Sequence, residues 1–483
     1  MKDRRVARAL RALFTVALVG ALFALSAGIA SAGAAAPRPA AATTSYKATI
    51  KDGCAAAQAL LGQSGAASLS LALVSGDRIV WQEAFGYADK ATSTPPGPDT
   101  MYGIGSVSKM LATVAAMKLV DQGKIELDAP LALYVPEIAR VFPVYGQITI
   151  RMLLDHSSGF PGSTYGDAIT GVYFPGYLQK MMDALATERP KTTPGYMSVY
   201  CNDGFTLVEA LVPAVTGKTF AEYVQDEVFT PLGMDHSAYP LEPFAPDTYA
   251  KAYAGDVARP RESLNVLASG GLYSTPTDMG RLGTMLMNGG VFNGTRVLSA
   301  DSVAEMGVDQ TLLSFNPVPS NAARYGLGWD TVTQPGLRAV KVTGWAKGGD
   351  SIDYHAAFIV APQARLAVTV IGVAPLGSGG LETLGERILL HALVDQGTLR
   401  RLPKPIPAAA PPVKTATDAQ LAAMEGVWAM NQPVFRIAAS ASDPQALVFS
   451  VLSADGWHPA GDSLRLRTDG RFHIDGAPAP CTP

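Results

Sequence analysis

The stretch Tyr102-Gly103-Ile104-Gly105-Ser106-Val107-Ser108-Lys109 decides how the rest of the chain is read. From Val107 onward the apolar positions Leu111, Val114, Ala115 and Leu119 fall at helical spacing, and Gly123 supplies a stop. A helix is therefore expected to open at or just before Ser106. Residues three apart lie on one helical face, so the Lys109 amine can stand beside the Ser106 hydroxyl and take its proton. The first turn also has N–H groups without intrahelical partners, one of which can serve an oxyanion. A capping serine followed by a solvated lysine gives the same four letters, so this stretch needs company.

Two further stretches supply it. In Tyr200-Cys201-Asn202, shortly after Pro194-Gly195, a phenol near a cation ionises more easily than in water and an amide can hold a substrate carbonyl. The competing reading is a half-buried loop tyrosine. In Lys347-Gly348-Gly349, ahead of a strand beginning near Tyr354, a lysine beside unencumbered backbone N–H groups makes a wall for an anion or oxyanion. The competing reading is a glycine turn with an exposed lysine. His156 invites a Ser-His-Asp reading, which a resemblance set out below assigns instead to structure, and His355, on the strand after the third stretch, is read as a wall residue. The chain has no Gly-x-Ser-x-Gly elbow and no His-Glu-x-x-His pair, and Cys54, Cys201 and Cys481 are scattered without metal spacing or a disulfide framework. No metal or organic cofactor is expected.

Composition narrows the class. The 483 residues are 48% apolar and 16% charged, enough for at least one large core. With 38 Lys plus Arg against 41 Asp plus Glu, and no basic run beyond the extreme N-terminus, nucleic acid is excluded as a partner on electrostatic grounds. A small molecule, peptide or polymer fits better. Lys2, Arg4, Arg5, Arg8 and Arg11 precede an apolar stretch from Ala12 to Ile29 that ends in Ala30-Ser31-Ala32, so residues 1–32 read as a cleaved signal peptide and the protein as secreted or periplasmic. An uncleaved membrane anchor is the alternative.

Further along, Ala67–Val74 and Ile79–Gly86 form a hairpin through Ser75-Gly76-Asp77. Residues 125–340 read as helical and rich in loops. Strands return at Ala356–Val360 and Leu366–Val373, before a helix carrying Leu381, Leu384, Ile388 and Leu389. Strands near both ends imply one sheet assembled from distant parts of the chain. Residues 401–416, with Pro403, Pro405, Pro407, Pro411 and Pro412, read as an extended linker, and 417–483 as a small β-rich domain.

Taken together, the three motifs and their order resemble the serine β-lactamase and penicillin-binding-protein superfamily, whose signature includes Ser-x-x-Lys. Within it the chain is most similar to the class C β-lactamase-like group of esterases, D-aminopeptidases and D-Ala-D-Ala carboxypeptidases. Supporting stretches are Leu153-Leu154-Asp155-His156-Ser157-Ser158-Gly159-Phe160-Pro161, Pro231-Leu232-Gly233-Met234 and Gly270-Gly271-Leu272-Tyr273-Ser274-Thr275. The resemblance spans about residues 50–395. It implies an α+β sandwich over residues 45–400, an antiparallel sheet flanked by helices with an inserted helical subdomain. It further implies Ser106 as nucleophile, Lys109 and Tyr200 as acid/base groups, and Asn202, Lys347, Gly349 and Asp350 as substrate-binding residues. The N–H groups of Ser106 and Asp350 would form the oxyanion hole.

The third motif departs from the family's usual Lys-Thr-Gly or His-x-Gly followed by a small residue. Gly348 removes a hydroxyl, and Asp350 adds a carboxylate that either enters the site or turns away to hold a neighbouring turn. The expectation is a secreted serine hydrolase acting on an ester or amide. A true class C-type β-lactamase or D-Ala-D-Ala carboxypeptidase, and a non-catalytic binding protein on the same fold, are the alternatives.

Overall fold

Leu69, Leu71 and Leu73 alternate with smaller residues along Ser68–Ser75 (β1), so a strand here buries its leucines on one face. The chain turns back through Arg78–Gly86 (β2), and far downstream Trp345–Asp350 (β3), Tyr354–Ala361 (β4) and Leu366–Val373 (β5) complete an antiparallel sheet in the order β3-β4-β5-β1-β2. The computed structural model describes residues 44–141, 146–162, 166–312, 324–403, 412–429, 434–453, 456–459, 463–468, 470 and 472–474. The proposed leader, Cys481 and residues 404–411 of the proline-rich stretch lie outside them. The pairing of β1 with β5, Leu71 opposite Val370, joins the two ends of the catalytic region as the sequence led us to expect.

The two faces of the sheet carry separate cores. Leu69, Leu71, Leu73, Ile359, Val368 and Val370 pack under two long helices, Lys47–Ser64 (α1) and Ser378–Asp395, whose Leu381, Leu384, Ile388 and Leu389 face the sheet. At the far end of the latter, Asp395 accepts from the Thr49 N–H at 3.0 Å and the Thr49 hydroxyl at 2.8 Å, closing a 346-residue span. The opposite face, with Val74, Phe358, Val360 and Ile371, packs against Lys109–Asp121 (α2), Pro276–Met287 (α3) and the helical region. Chain order makes Ser378–Asp395 helix α4. Ten residues of α2 are buried, Lys109 among them, so this helix is apolar nearly all round and runs through the interior.

Toward the C-terminus, the strands Gly426–Ala429, Val434–Ala439, Ala446–Ser453, Gly456–Pro459, Leu464–Leu466 and Phe472–Ile474 form a six-stranded sheet. It has its own small core around Leu421, Ile437, Leu447 and Leu466.

One element escapes sequence reading. Lys347-Gly348-Gly349 is no turn before a strand; it lies within edge strand β3, with Lys347 opposite Phe358 and Gly349 opposite Ala356. Glycine disfavours strands, which hides this one. Its glycine serves close approach. A Cβ on Gly349 would come within 2.8 Å of the Val107 nitrogen and 3.0 Å of the Ser106 nitrogen. Gly105, at φ +48, is equally tight from the other side, its Cβ position lying 2.7 Å from the Asp350 nitrogen. Backbone meets backbone here, so no side chain can yield.

Gly349→Ala is therefore expected to push β3 off the Ser106 turn, at a cost of about 1–3 kcal/mol. Urea denaturation measures this; unchanged stability with unchanged Ser106 reactivity would mean that the two backbones need not touch.

Candidate active site

Ser106 sits in a 3₁₀ turn, Gly105–Ser108, that leads directly into α2 at Lys109. The α-helix thus begins three residues later than the sequence suggests. The 3₁₀ geometry eclipses residues three apart and so keeps Ser106 and Lys109 together. Ser108, the other serine of the motif, is turned inward. Its hydroxyl donates to the Gly105 carbonyl at 2.7 Å and accepts from the Leu272 N–H at 3.1 Å, fixing the turn.

Lys109 is fully buried, its Nζ 3.0 Å from Ser106 Oγ, 2.6 Å from Asn202 Oδ1 and 2.7 Å from the Ser269 carbonyl. A neutral amine has two N–H donors and one lone pair. With the two carbonyl oxygens taking the donors, the lone pair is left for the Ser106 hydroxyl proton. Burial, then the positive charge of Lys347, holds the Lys109 amine well below the usual lysine range, which favours that neutral form.

Lys347 is also buried, and is held by Asp330. Its Nζ donates to Asp330 Oδ2 at 2.8 Å and to the Gly348 carbonyl at 2.6 Å, and lies 3.5 Å from the Tyr200 hydroxyl. The same Asp330 oxygen accepts the Gly348 N–H at 2.9 Å. The Tyr200 ring stands between the two lysines, with Lys109 Nζ 5.0 Å and Lys347 Nζ 5.3 Å from its centroid. Ser106, Lys109, Tyr200, Asn202 and Lys347, read from three distant stretches, thus meet at one place, with Gly349 against the Ser106 backbone.

The open question about Asp350 resolves outward. Its carboxylate bonds to His355 Nδ1 at 2.6 Å and to the Ser378 N–H at 2.8 Å, with the Ser378 hydroxyl as a further donor. Burial alone would push the Asp350 carboxyl up, but the His355 and Ser378 donors outweigh it, so the group is held below the usual carboxylate range. His355 is therefore no wall of the site: it is paired with Asp350 across the β3–β4 register. Asp350 still lines a cavity of about 70 Å³ beside Ser106, along with Asn202 and Ser269. Tyr200, Lys347 and Gly349 do not line that cavity.

His156 takes the structural part expected of it. Its Nδ1 accepts the Cys201 N–H at 3.0 Å, its carbonyl accepts the Val199 N–H at 2.8 Å, and its ring packs 4.4 Å from that of Tyr200. Burial and three nearby lysines hold the imidazole well below its usual range. The residue thus braces the Tyr200 loop as a neutral ring. Cys54 and Cys201 carry free thiols, and among the described residues no cluster of three or more His, Cys, Asp or Glu side chains offers a metal site.

Two contributors were missed in the sequence. Asp330 reaches Lys347 because Asp330 and Thr331 run beside Ala346, a long-range bridge without local signal. Glu209 had a signal: it interrupts the apolar run Leu207-Val208-Glu209-Ala210-Leu211-Val212 and is buried. Its carboxyl accepts the Ala268 N–H at 2.8 Å and so holds the short helix Leu267–Gly270, whose Ser269 carbonyl meets Lys109. Burial pushes this carboxyl up to about 8.

Comparison with known proteins agrees with this architecture. A family model described as Beta-lactamase matches residues 55–375. The D-alanyl-D-alanine-carboxypeptidase/endopeptidase AmpH of Escherichia coli (strain K12) is 28% identical over 319 residues, covering 64% of this chain and 80% of that protein. Penicillin-binding protein 4 of Amycolatopsis lactamdurans is 28% identical over 331 residues, covering 66% and 83% respectively. Among solved structures, the octameric penicillin-binding protein homologue from Pyrococcus abyssi superposes with a TM-score of 0.59 at 20% identity, over 86% of this chain and 90% of the other. A structure of SurE with D-Leu gives 0.62 at 21% identity, over 89% and 93%. These structural likenesses speak for the fold. No helix among the described residues is long and apolar enough to cross a membrane.

Glu209 carries a pH signature. Below about pH 4.5 its carboxyl is protonated whether the chain is folded or not; above it only the unfolded chain ionises, until the folded group follows near 8. Stability is therefore lost as pH rises through that window. Glu262, pushed up to about 7, and Asp155, to about 6, act in the same sense. Glu209→Gln, which keeps the acceptor for Ala268, should shrink the loss in unfolding free energy between pH 5 and 8 by at most about 4 kcal/mol. Parallel curves for variant and wild type would show that Glu209 is not held protonated.

Proposed function

Because the chain belongs to the beta-lactamase family, we propose that this serine hydrolase cleaves an ester or amide through an acyl-enzyme on Ser106. The observation that carries the reading is the Lys109 amine, buried and 3.0 Å from Ser106 Oγ, with its donors occupied by Asn202 and Ser269. In the first step Ser106 Oγ bonds to the substrate carbonyl carbon while its proton passes to Lys109. The oxyanion is met by the N–H groups of Ser106 and Asp350, which the close approach of Gly105 and Gly349 favours.

Tyr200, flanked by Lys109 and Lys347, hands a proton to the leaving oxygen or nitrogen as the scissile bond breaks. Water then attacks the acyl carbonyl while Tyr200 takes its proton, and as the bond from the acyl carbon to Oγ breaks, Lys109 returns its proton to Ser106. Asn202 orients the acyl carbonyl while it holds Lys109. Asp330 holds Lys347 in place beside the phenol through their ion pair. The name carried by the Escherichia coli relative makes a D-alanyl peptide amide one substrate class to test. The same reading places the enzyme outside the cytoplasm, through the leader at residues 1–32, and treats residues 417–483 as an appended β domain after the linker.

Ser106→Ala should abolish turnover with the fold intact, and mass spectrometry after fluorophosphonate or penicillin treatment should find one adduct, on Ser106. Lys109→Ala should slow acylation by about 10²–10⁴-fold. Normal turnover in Ser106→Ala, or an adduct on another residue, would remove the mechanism; no turnover and no adduct in the unaltered protein would leave the binding-protein alternative standing.

A further inference from the structure

Edge strand β3 brings two consecutive glycines into the site, and neither has a side chain by which the backbone can be held. The strand is gripped on either side of them instead. Upstream, Asp330 accepts from Lys347 Nζ at 2.8 Å and from the Gly348 N–H at 2.9 Å. Downstream, the Asp350 carboxylate meets His355 Nδ1 at 2.6 Å and the Ser378 N–H at 2.8 Å, with the Ser378 hydroxyl as a third donor. An ionised carboxylate only accepts, so His355 Nδ1 carries the hydrogen.

The direction of the Asp350 N–H follows from the alternation of the strand. The Ala346 N–H meets the Thr331 carbonyl at 2.8 Å and the Gly348 N–H meets Asp330, both off the free edge of the sheet. The Ser351 N–H turns the other way, to the Tyr354 carbonyl of β4 at 2.9 Å. Backbone groups two residues apart point alike, so the Asp350 N–H leaves the free edge with those of Ala346 and Gly348. The Ser106 turn stands at that edge. A Cβ on Gly105 would lie 2.7 Å from the Asp350 nitrogen, and one on Gly349 would lie 3.0 Å from the Ser106 nitrogen.

Both anchors of the carboxylate are themselves well seated. His355 lies on β4, which pairs with β3 on one side and with β5 on the other, and its side chain is 12% exposed. Ser378 is the first residue of α4, which is fixed by its buried leucines and tied at its far end to Thr49. The same serine packs over the strand, since a Cβ on Gly348 would meet Ser378 Cβ and Oγ at 3.5 Å. The Asp350 side chain is 54% exposed, so this clasp adds little to the stability of the fold. What it restrains is orientation. An Asp350 N–H free to swing would be aligned only part of the time, and the rate would fall with that fraction.

We propose that His355 and Ser378 are positioning residues of the reaction, holding the Asp350 N–H on the oxyanion by gripping the Asp350 carboxylate. The proposal rests on the acyl-enzyme reading of Ser106. It makes Gly348 and Asp350, the two departures of the third motif, parts of one arrangement, in which an anchored side chain restores the orientation that paired glycines leave loose.

The test uses the full chain, 4-nitrophenyl acetate as substrate and phenylboronic acid as a mimic of the tetrahedral intermediate. Ser106 Oγ bonds to boron as its proton passes to Lys109, leaving a four-coordinate boronate anion with one oxygen where the oxyanion forms. His355→Ala and Ser378→Ala should each lower kcat/KM several-fold, and together by up to the about 10²-fold that loss of one oxyanion donor costs. The inhibition constant of phenylboronic acid should rise in the same proportion. That constant does not depend on how much of a preparation is folded, so misfolding cannot imitate its rise. In an Asp350→Ala background, itself impaired, the two substitutions should have no further effect. An unchanged kcat/KM, a lowered kcat/KM with an unchanged inhibition constant, or effects that add in full to that of Asp350→Ala would overturn the clasp, while a fluorophosphonate adduct on Ser106 leaves the nucleophile standing. If Ser106 of the unaltered protein is not labelled, both fall.

Discussion

A primary amine enclosed in protein has to choose between losing its proton and finding carboxylate partners, and Lys109 is given no carboxylate within hydrogen-bond reach. Its Nζ meets two carbonyl oxygens and one hydroxyl, while a second buried lysine raises the cost of charge. Much of the structure serves that enclosure. The helix α2 is apolar nearly all round because it must carry Lys109 into the interior. The short helix Leu267–Gly270 presents the Ser269 carbonyl, and Glu209 anchors it from below.

The two lysines divide the electrostatic work. Lys347 has the partner that Lys109 lacks, Asp330, and so keeps a paired charge beside the Tyr200 phenol. Edge strand β3 brings it there, and the same strand has to graze the Ser106 turn, which is why glycine occupies both sides of the contact. The carboxylate of Asp350 is held by His355 and by the first residue of α4, so the acidic residue next to the site is already partnered.

What could be read in the sequence follows from how local the cause was. Ser106 and Lys109 are three residues apart on a periodic helix, and the hairpin of β1 and β2 rests on alternating apolar residues around a glycine turn; both were legible. The pairing of Tyr200 and Lys347 with them came from the resemblance, since no periodicity connects residues that distant. Strand β3 was hidden because Gly348 and Gly349 resemble a turn in composition, although their purpose is close approach. Asp330 and the orientation of the Asp350 side chain depend on contacts across the fold that leave no local trace. Glu209 was overlooked although it stood as a charge in an apolar run.

Titration of the Lys109 amine itself gives the most direct test, because the enclosure and the chemistry both turn on its protonation state. With lysine side chains labelled with ¹⁵N and the signal assigned by its disappearance in Lys109→Arg, the resonance should titrate well below the ordinary lysine value of about 10.4. A Lys109 that stays protonated up to that ordinary value would contradict the idea of a neutral amine waiting for the Ser106 proton.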